Sequence, residues 1–331
     1  MQTRQLGQQG LEVSVIGLGC MGLTWAYGPT NEAESTQVLY RALDLGVNFF
    51  DTAEVYGPHT NEDLIGRALR SKTRDKFIIA SKFGFTWNEQ GEINGLDSSP
   101  VNIKKAIDGS LQRLGTDYID LYYQHRLDPT VPIEDTVGAM ADLVAAGKIR
   151  YIGLCEVGPA TIRRAHAVHP LSVIQSEYSL WERGVEEKIL PLLRELGIGF
   201  VAYSPIGRGF LTGKMTNLQQ LHPSDFRQRL PRFQPENFAH NFKLVELLQK
   251  IAAAHQVTPV QIALAWLLKQ MSGIVPIPGT KHIRYLEENV QSATLSLPEQ
   301  AWQQVDELVT SFQFKGMRYP EANMKTIDRA E

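Results

Sequence analysis

The chain has 331 residues, 43% of them hydrophobic and 21% charged, a balance that buries a large core without disulfides or metals. A net charge of −3 gives no footprint for nucleic acid, and the two cysteines, Cys20 and Cys155, cannot build a disulfide framework, so a reducing compartment is expected. The opening MQTRQLGQQGLEV lacks a signal peptide's apolar stretch, and no apolar run nears the roughly 18 residues of a membrane span, so a cytoplasmic protein without membrane contact is expected.

Short β-rich runs alternate with longer helical ones. The first strand is expected at SVIGLG (14–19), and Asn31-Glu32-Ala33-Glu34 opens a first helix whose Val38, Leu39, Ala42, Leu43 and Leu45 approximate one stripe. VNFFDTA (47–53) follows, then a second helix capped by Asn61 with Leu64, Ile65, Ala68 and Leu69 on one face. Strands FIIASKF (77–83), IDLYYQH (119–125) and IRYIGLC (149–155) come next, with Pro100, Pro132 and Pro159 near the starts of the third, fourth and fifth helices. LSVIQSEY (171–178), IGFVAYSP (198–205) and GIVPIPG (273–279) complete the set. These runs are mostly apolar on both faces, as buried parallel strands are. Gly46, Gly115, Gly147 and Gly197 close helices ahead of strands.

Eight such β–α units predict a closed (β/α)₈ TIM barrel forming a single domain over residues 1–331, with a doubly wound open sheet as the alternative. Three segments exceed ordinary loop length: 84–99, 206–240 and the tail from 292. The second holds Arg208, Lys214, Arg227, Arg229 and Arg232, the composition of a basic lid or of a solvated loop. Gly17-Leu18-Gly19-Cys20-Met21-Gly22 matches the dinucleotide fingerprint, but no helix opens at its third glycine. Those glycines are expected to let backbone approach a ligand at the barrel mouth.

In such a barrel the chemistry lies at the C-terminal ends of the strands. Those ends carry Asp51, Lys82, His125, Cys155-Glu156, Gln175-Ser176-Glu177 and Tyr203-Ser204-Pro205, and Tyr56 lies in the loop after Asp51. A Lys ammonium beside a Tyr hydroxyl lowers the phenol's pKa, an Asp keeps that Lys charged, and a His orients a carbonyl oxygen. The set is an apparatus for giving a proton to a developing alkoxide, with a hydride donor as the missing partner. Each residue alone has a structural reading: a turn cap for Asp51, loop packing for Tyr56, an ion pair for Lys82, a core imidazole for His125. His59, His125, His166 and His169 match no metal-ligand spacing.

The segments GVNFFDTAEVYG (46–57), IIASKFG (78–84), LQRLGTDYIDLYYQH (111–125), IQSEYSL (174–180), VAYSPIGRGFLTGK (201–214) and IPGTKHIRYLEENV (277–290) together resemble the aldo-keto reductase superfamily over nearly the whole chain. DFRQRLPRF (225–233) and ENFAHN (236–241) resemble its bacterial and plant reductase branch more than the potassium-channel β-subunits. The resemblance implies Tyr56 as general acid, Asp51 and Lys82 as its tuners, and His125 as the group that orients the carbonyl. Relatives with Glu at the His125 position reduce carbon–carbon double bonds, and the channel subunits carry Asn there, so the retained His favours carbonyl reduction. It further implies NADPH. Gln175 would bind the nicotinamide amide and Tyr203 stack on the ring. Ser204, Pro205, Ile206, Gly207, Arg208 and Lys214 would hold the pyrophosphate. Gly279, Lys281, Tyr285, Glu288, Asn289 and Arg227 would hold the adenosine end, Lys281 and Arg227 suiting a 2′-phosphate. Cys155-Glu156 departs from the family's usual Ser-Asn; Glu156 could still accept from the amide, whereas Cys155 is a poor donor or simply a small buried residue. Trp25, Tyr27 and Trp87, with Phe83 and Phe85, suggest an aromatic pocket for a small carbonyl substrate. The rival readings are a cofactor-binding regulatory subunit with little turnover and a lyase or isomerase using Lys82 as a Schiff base.

Overall fold

The computed structural model describes residues 1–328; the last three residues of the expected 1–331 unit lie outside them. The chain begins with an antiparallel hairpin, β1 (Thr3–Leu6) and β2 (Leu11–Ser14). β3 (Leu18–Gly19), α1 (Glu32–Asp44), β4 (Phe49–Asp51), α2 (Thr60–Leu69) and β5 (Ile78–Phe83) follow. A second hairpin, β6 (Phe85–Trp87) and β7 (Ile93–Leu96), precedes α3 (Pro100–Leu114), β8 (Ile119–Gln124), α4 (Ile133–Ala145), β9 (Ile149–Cys155) and α5 (Pro159–Val168). Then come β10 (Val173–Glu177), α6 (Ile189–Leu196), β11 (Gly199–Tyr203), α7 (Pro235–Ala254), α8 (Pro259–Gln270), β12 (Ile274–Pro276), α9 (Ile283–Gln291), α10 (Glu299–Ser311) and α11 (Glu321–Met324).

All eight expected strands form, several of them trimmed at the ends, and they pair in parallel in the order β3-β4-β5-β8-β9-β10-β11-β12. The seam closes where Gly17 N donates to Pro276 O at 3.0 Å and Gly19 N to Pro278 O at 3.3 Å. The sheet is therefore a (β/α)₈ barrel and not an open doubly wound sheet. Two of the three glycines of the false fingerprint, Gly17 and Gly19, belong to this seam, whereas Gly22 lies after β3 with the Tyr27 ring 3.2 Å from where its Cβ would be. A Cβ on Gly17 would lie 2.7 Å from the Phe49 ring, and one on Gly19 would lie 2.7 Å from Ile277 O. They admit a neighbouring strand where a ligand at the mouth was expected.

Alternation along each strand sorts two cores. Phe49, Ala80, Leu121, Tyr123, Cys155, Val173, Val201 and Val275 fill the barrel, and Leu6, Leu11 and Val13 of the first hairpin join that cluster. Phe50, Ile79, Phe83, Tyr122, Ile152 and Leu154 belong to the larger core that also takes in the helices. Asn31 caps α1 by accepting from Glu34 N, and α3 and α6 end on left-handed Gly115 and Gly197.

One helix start differs from expectation. Asn61 lies inside α2, whose cap position is His59 at φ 71°. The Asn61 amide is buried; it accepts from Thr52 Oγ1 at 2.7 Å and donates to Cys20 O at 2.9 Å and Thr24 Oγ1 at 2.8 Å. It joins the loops after β3 and β4, so it is not available to cap. Pro100, Pro132 and Pro159 lie at the starts of α3, α4 and α5 as expected, Pro132 immediately before the first residue of its helix. Among the described residues no single helix is long and apolar enough to cross a membrane.

Candidate active site

Asp51 ends β4, Lys82 lies in β5, His125 follows β8, and Tyr56 sits in the loop after β4. Parallel pairing places these ends on one rim, and the side chains meet. Lys82 is fully buried; its Nζ donates to an Asp51 carboxylate oxygen, to Thr52 O at 2.8 Å and to Tyr56 OH at 3.3 Å. Burial alone would discharge such an ammonium, but Asp51 and then Tyr56 hold its pKa above the ordinary value. The other Asp51 oxygen accepts from Gln175 Nε2 at 2.7 Å. The His125 ring stands edge-on to Tyr56 at 5.8 Å, and its Nδ1 is buried without a hydrogen-bond partner.

Two pKa directions set what this group can do. Burial, then the charges of Lys82 and Arg126, hold His125 well below its usual value, so the imidazole is neutral at pH 7. Burial pushes Tyr56 up to about 12, and Lys82 recovers only part of that rise. The expected lowering by lysine is present but outweighed, because the hydroxyl is desolvated as well as paired. Tyr56 is thus a neutral phenol with its proton in place beside a fixed positive charge.

The predicted phosphate-side residues converge where the 206–240 segment lies over the loop after β3. Ser204, Gly207, Arg208 and Gly209 have φ between 50° and 87°, a left-handed run of the kind that turns amides toward an anion. Pro205 and Ile206 lie within it. Lys281 Nζ donates to Tyr27 O at 2.8 Å and Pro29 O at 2.9 Å. Arg227 pairs with Asp225 at 2.6 Å, donates to Arg208 O at 2.9 Å and lies 4.9 Å from the Tyr27 ring. Lys214 sits 3.9 Å from the Tyr285 ring and 4.0 Å from Glu288. Gly279 abuts Gly19 O, where a Cβ would lie 2.7 Å away, and Asn289 is buried in α9. Three lysine or arginine cations on one side of the mouth suit a dinucleotide's phosphates.

The amide end is different. Glu156, at φ 53° and almost fully buried, is already engaged: its carboxylate accepts from Glu177 N at 2.9 Å, Tyr203 OH at 2.7 Å and Arg318 at 2.8 and 3.1 Å. Tyr319 reaches Tyr203 OH at 3.1 Å and accepts from Arg208 at 2.7 Å, while Arg208 pairs with Glu177 at 2.9 Å. Asp328 N donates to Glu156 O at 3.0 Å, and its carboxylate caps α5 through Gly158 N at 3.0 Å and Thr161 Oγ1 at 2.6 Å. Glu156 therefore anchors a C-terminal strap, with Oε1 taking three of these bonds and Oε2 only the one from Arg318. Cys155 points into the barrel core, and burial pushes its thiol up to about 12.

Of the predicted aromatic wall, Trp25 lies 6.1 Å from the Tyr56 ring, Phe85 lies 5.0 Å from His125, and Trp87 packs beside Tyr56 and His59. Tyr27 is elsewhere, against Phe226 at 5.4 Å under the lid, and Phe83 stacks on Tyr122 in the outer core. Sequence reasoning does not reach Arg126, Arg318 or Tyr319. Only the odd Glu156 signals that a cation should be sought.

A profile of the Aldo/keto reductase family matches residues 15–310. The chain is 46% identical over 320 residues to a probable aldo-keto reductase 1 of Glycine max, covering 96% of this chain and 92% of that one. A glycerol dehydrogenase from Gluconobacter oxydans superposes with TM-score 0.84 at 28% identity, over 94% of this chain and 95% of the other. A thermostable aldo-keto reductase in complex with the inhibitor epalrestat gives 0.75 at 29% identity, over 93% of this chain and 100% of the other. With its closed barrel and its Asp–Tyr–Lys–His rim, the chain belongs to the aldo/keto reductase family.

Proposed function

We propose that the protein is an NADPH-dependent reductase of aldehydes or ketones in which Tyr56 gives the proton to the carbonyl oxygen. The observation that carries this reading is the Tyr56 hydroxyl, still protonated, 3.3 Å from an ammonium clamped by Asp51 and Thr52 O. NADPH would supply the hydride. The neutral His125 donates a hydrogen bond to the carbonyl and fixes its direction, while Lys82 stabilises the phenolate left behind. Gln175 steadies Asp51, and Trp25, Phe85 and Trp87 wall off water around the reacting oxygen.

The cofactor's holders would be Lys281 and Arg227 for the 2′-phosphate and Lys214 with the Ser204–Arg208 turn for the pyrophosphate. Gly279, Tyr285, Glu288 and Asn289 would hold the adenosine, and Tyr203 with Gln175 the nicotinamide end. Both thiols are free and buried, in keeping with a cytoplasmic setting. The test is a panel of aldehydes and ketones followed by loss of NADPH absorbance, with Lys82→Met alongside. Turnover that survives Lys82→Met at the parent rate would overturn the reading.

A further inference from the structure

Arg126 follows His125 at the end of β8 and is partly buried. Its Nη1 turns back onto His125 O at 2.7 Å. The residue follows the C-terminal end of β8, on the rim that carries the site, and its charge is felt by Tyr203, Tyr319, Glu156, Cys155 and the His125 ring.

Four other arginines around that mouth each have a carboxylate. Arg208 holds Glu177 at 2.9 Å, Arg318 holds Glu156 at 2.8 Å, Arg232 holds Glu182 at 2.7 Å and Arg227 holds Asp225 at 2.6 Å. Among the described residues, Arg126 has no carboxylate at ion-pair distance. Glu156, the buried acid whose field reaches it, cannot turn toward it without abandoning Arg318. The acid nearest in sequence, Asp128, is committed to Ser98 N at 2.9 Å and to Thr130 at 2.6 and 2.9 Å. The bond to His125 O uses one of five N–H donors, so most of the fork is free.

Burial works against this guanidinium and Tyr203, Tyr319 and Glu156 offset that from beyond ion-pair distance, so the charge is kept while most of its N–H donors lack an acceptor. The cofactor's phosphates are poor candidates. Their proposed cations, Lys214, Arg227 and Lys281, lie with the lid and the end of β12, whereas β8 is four strands away around the barrel. The remaining visitor is the substrate, whose carbonyl sits against the preceding residue.

We propose that Arg126 is a specificity-determining residue that binds an anionic group of the substrate, so that the preferred substrates are aldehydes or ketones bearing a carboxylate or phosphate a few bonds from the carbonyl. This rests on the reductase reading above and names its substrate class. The neighbouring His125 aligns the carbonyl while the free edge of the Arg126 fork takes the anion's oxygens.

The experiment uses matched pairs of aldehydes with NADPH: 4-carboxybenzaldehyde against methyl 4-formylbenzoate, and 4-formylphenyl phosphate against 4-methoxybenzaldehyde. The charged member of at least one pair should be favoured in kcat/KM by about tenfold or more, and the pair with the larger ratio identifies the anion. Arg126→Gln should reduce that ratio roughly 10- to 100-fold, chiefly through KM, the span of a charge-assisted hydrogen bond. Arg126→Lys, which keeps the charge but loses the fork, should retain part of the preference and guards against misfolding. Calorimetry of benzoate or phenyl phosphate binding to the NADP⁺ complex should show the same ordering without turnover. Equal kcat/KM within both pairs, or a ratio unchanged in Arg126→Gln, overturns the inference and leaves the reductase reading standing. No turnover of any of the four aldehydes overturns both.

Discussion

Replacing Arg318 by Met removes both hydrogen bonds to Glu156 while keeping an unbranched apolar stem in the strap. The side chains are 9% and 4% exposed, so this is a buried pair cut on one side. Such cuts cost about 3–5 kcal/mol, chiefly because a buried charge is left behind. Here Glu156 keeps Tyr203 OH and Glu177 N, which argues for the lower end, about 3 kcal/mol. With an unfolding entropy of about 2.1 cal/mol/K per residue, a chain of this length changes by roughly 0.7 kcal/mol per degree, so Tm should fall about 4 °C. Adding Glu156→Gln removes the stranded charge, and the double variant should regain much of the loss; a simple sum would deny the coupling.

The pH dependence follows from the same pair. Burial pushes the Glu156 carboxyl up, but Arg318 more than offsets it, and the folded pKa lies below the ordinary glutamate value. A depressed carboxyl contributes stability that is present above its unfolded pKa, about 4.3, and lost as pH falls through the folded value. The gap between parent and Arg318→Met should be full at pH 7 and narrow below about pH 4. Calorimetric scans at several pH values decide. A Tm change under about 1 °C at neutral pH, or a gap that widens in acid, would refute the argument.

Tyr56→Phe should lower turnover by about 10²–10⁴ while fluorescence titration shows NADPH binding intact; near-parental reduction would place the proton elsewhere. Because Tyr56 is active in its protonated form and its pKa is raised to about 12, reduction should show no basic limb from this group below about pH 10, and a rate that falls between pH 7 and 9 with this ionisation would contradict its burial. Lys281→Ala or Arg227→Ala should raise the NADPH KM and leave that for NADH nearly unchanged, whereas equal losses would show that neither reads the 2′-phosphate. Limited proteolysis should yield no stably folded fragment ending after β8, since half of a closed barrel exposes its core; recovery of one would argue for two units.

The barrel was legible because strands buried on both faces are continuous apolar runs and the helices between them end on glycine. The rim followed from topology, which puts every strand end on one side, so Asp51, Lys82 and His125 could be gathered by position alone. Side-chain direction was partly readable: Phe83 adjoins Lys82 and must face the opposite way, out of the barrel. The first hairpin was also within reach, as Leu6, Leu11 and Val13 flank a turn bounded by Gly7 and Gly10, but its strands are short. The pairing of Glu156 with Arg318 spans 162 residues, and no local pattern carries it. Reasoning from charge alone also misjudged Tyr56, because burial is a property of the folded surroundings and outweighs the nearby ammonium.

The C-terminal strap has a consequence for biosynthesis. Glu156 leaves the ribosome 162 residues before Arg318, so while the barrel assembles its mouth holds an acid whose salt-bridge partner has yet to be made. Tyr319 and Asp328 then lock the ends of β9 and β11 and cap α5. Loss of residues 318–328, though they are remote in sequence from every strand, therefore acts on the centre of the site.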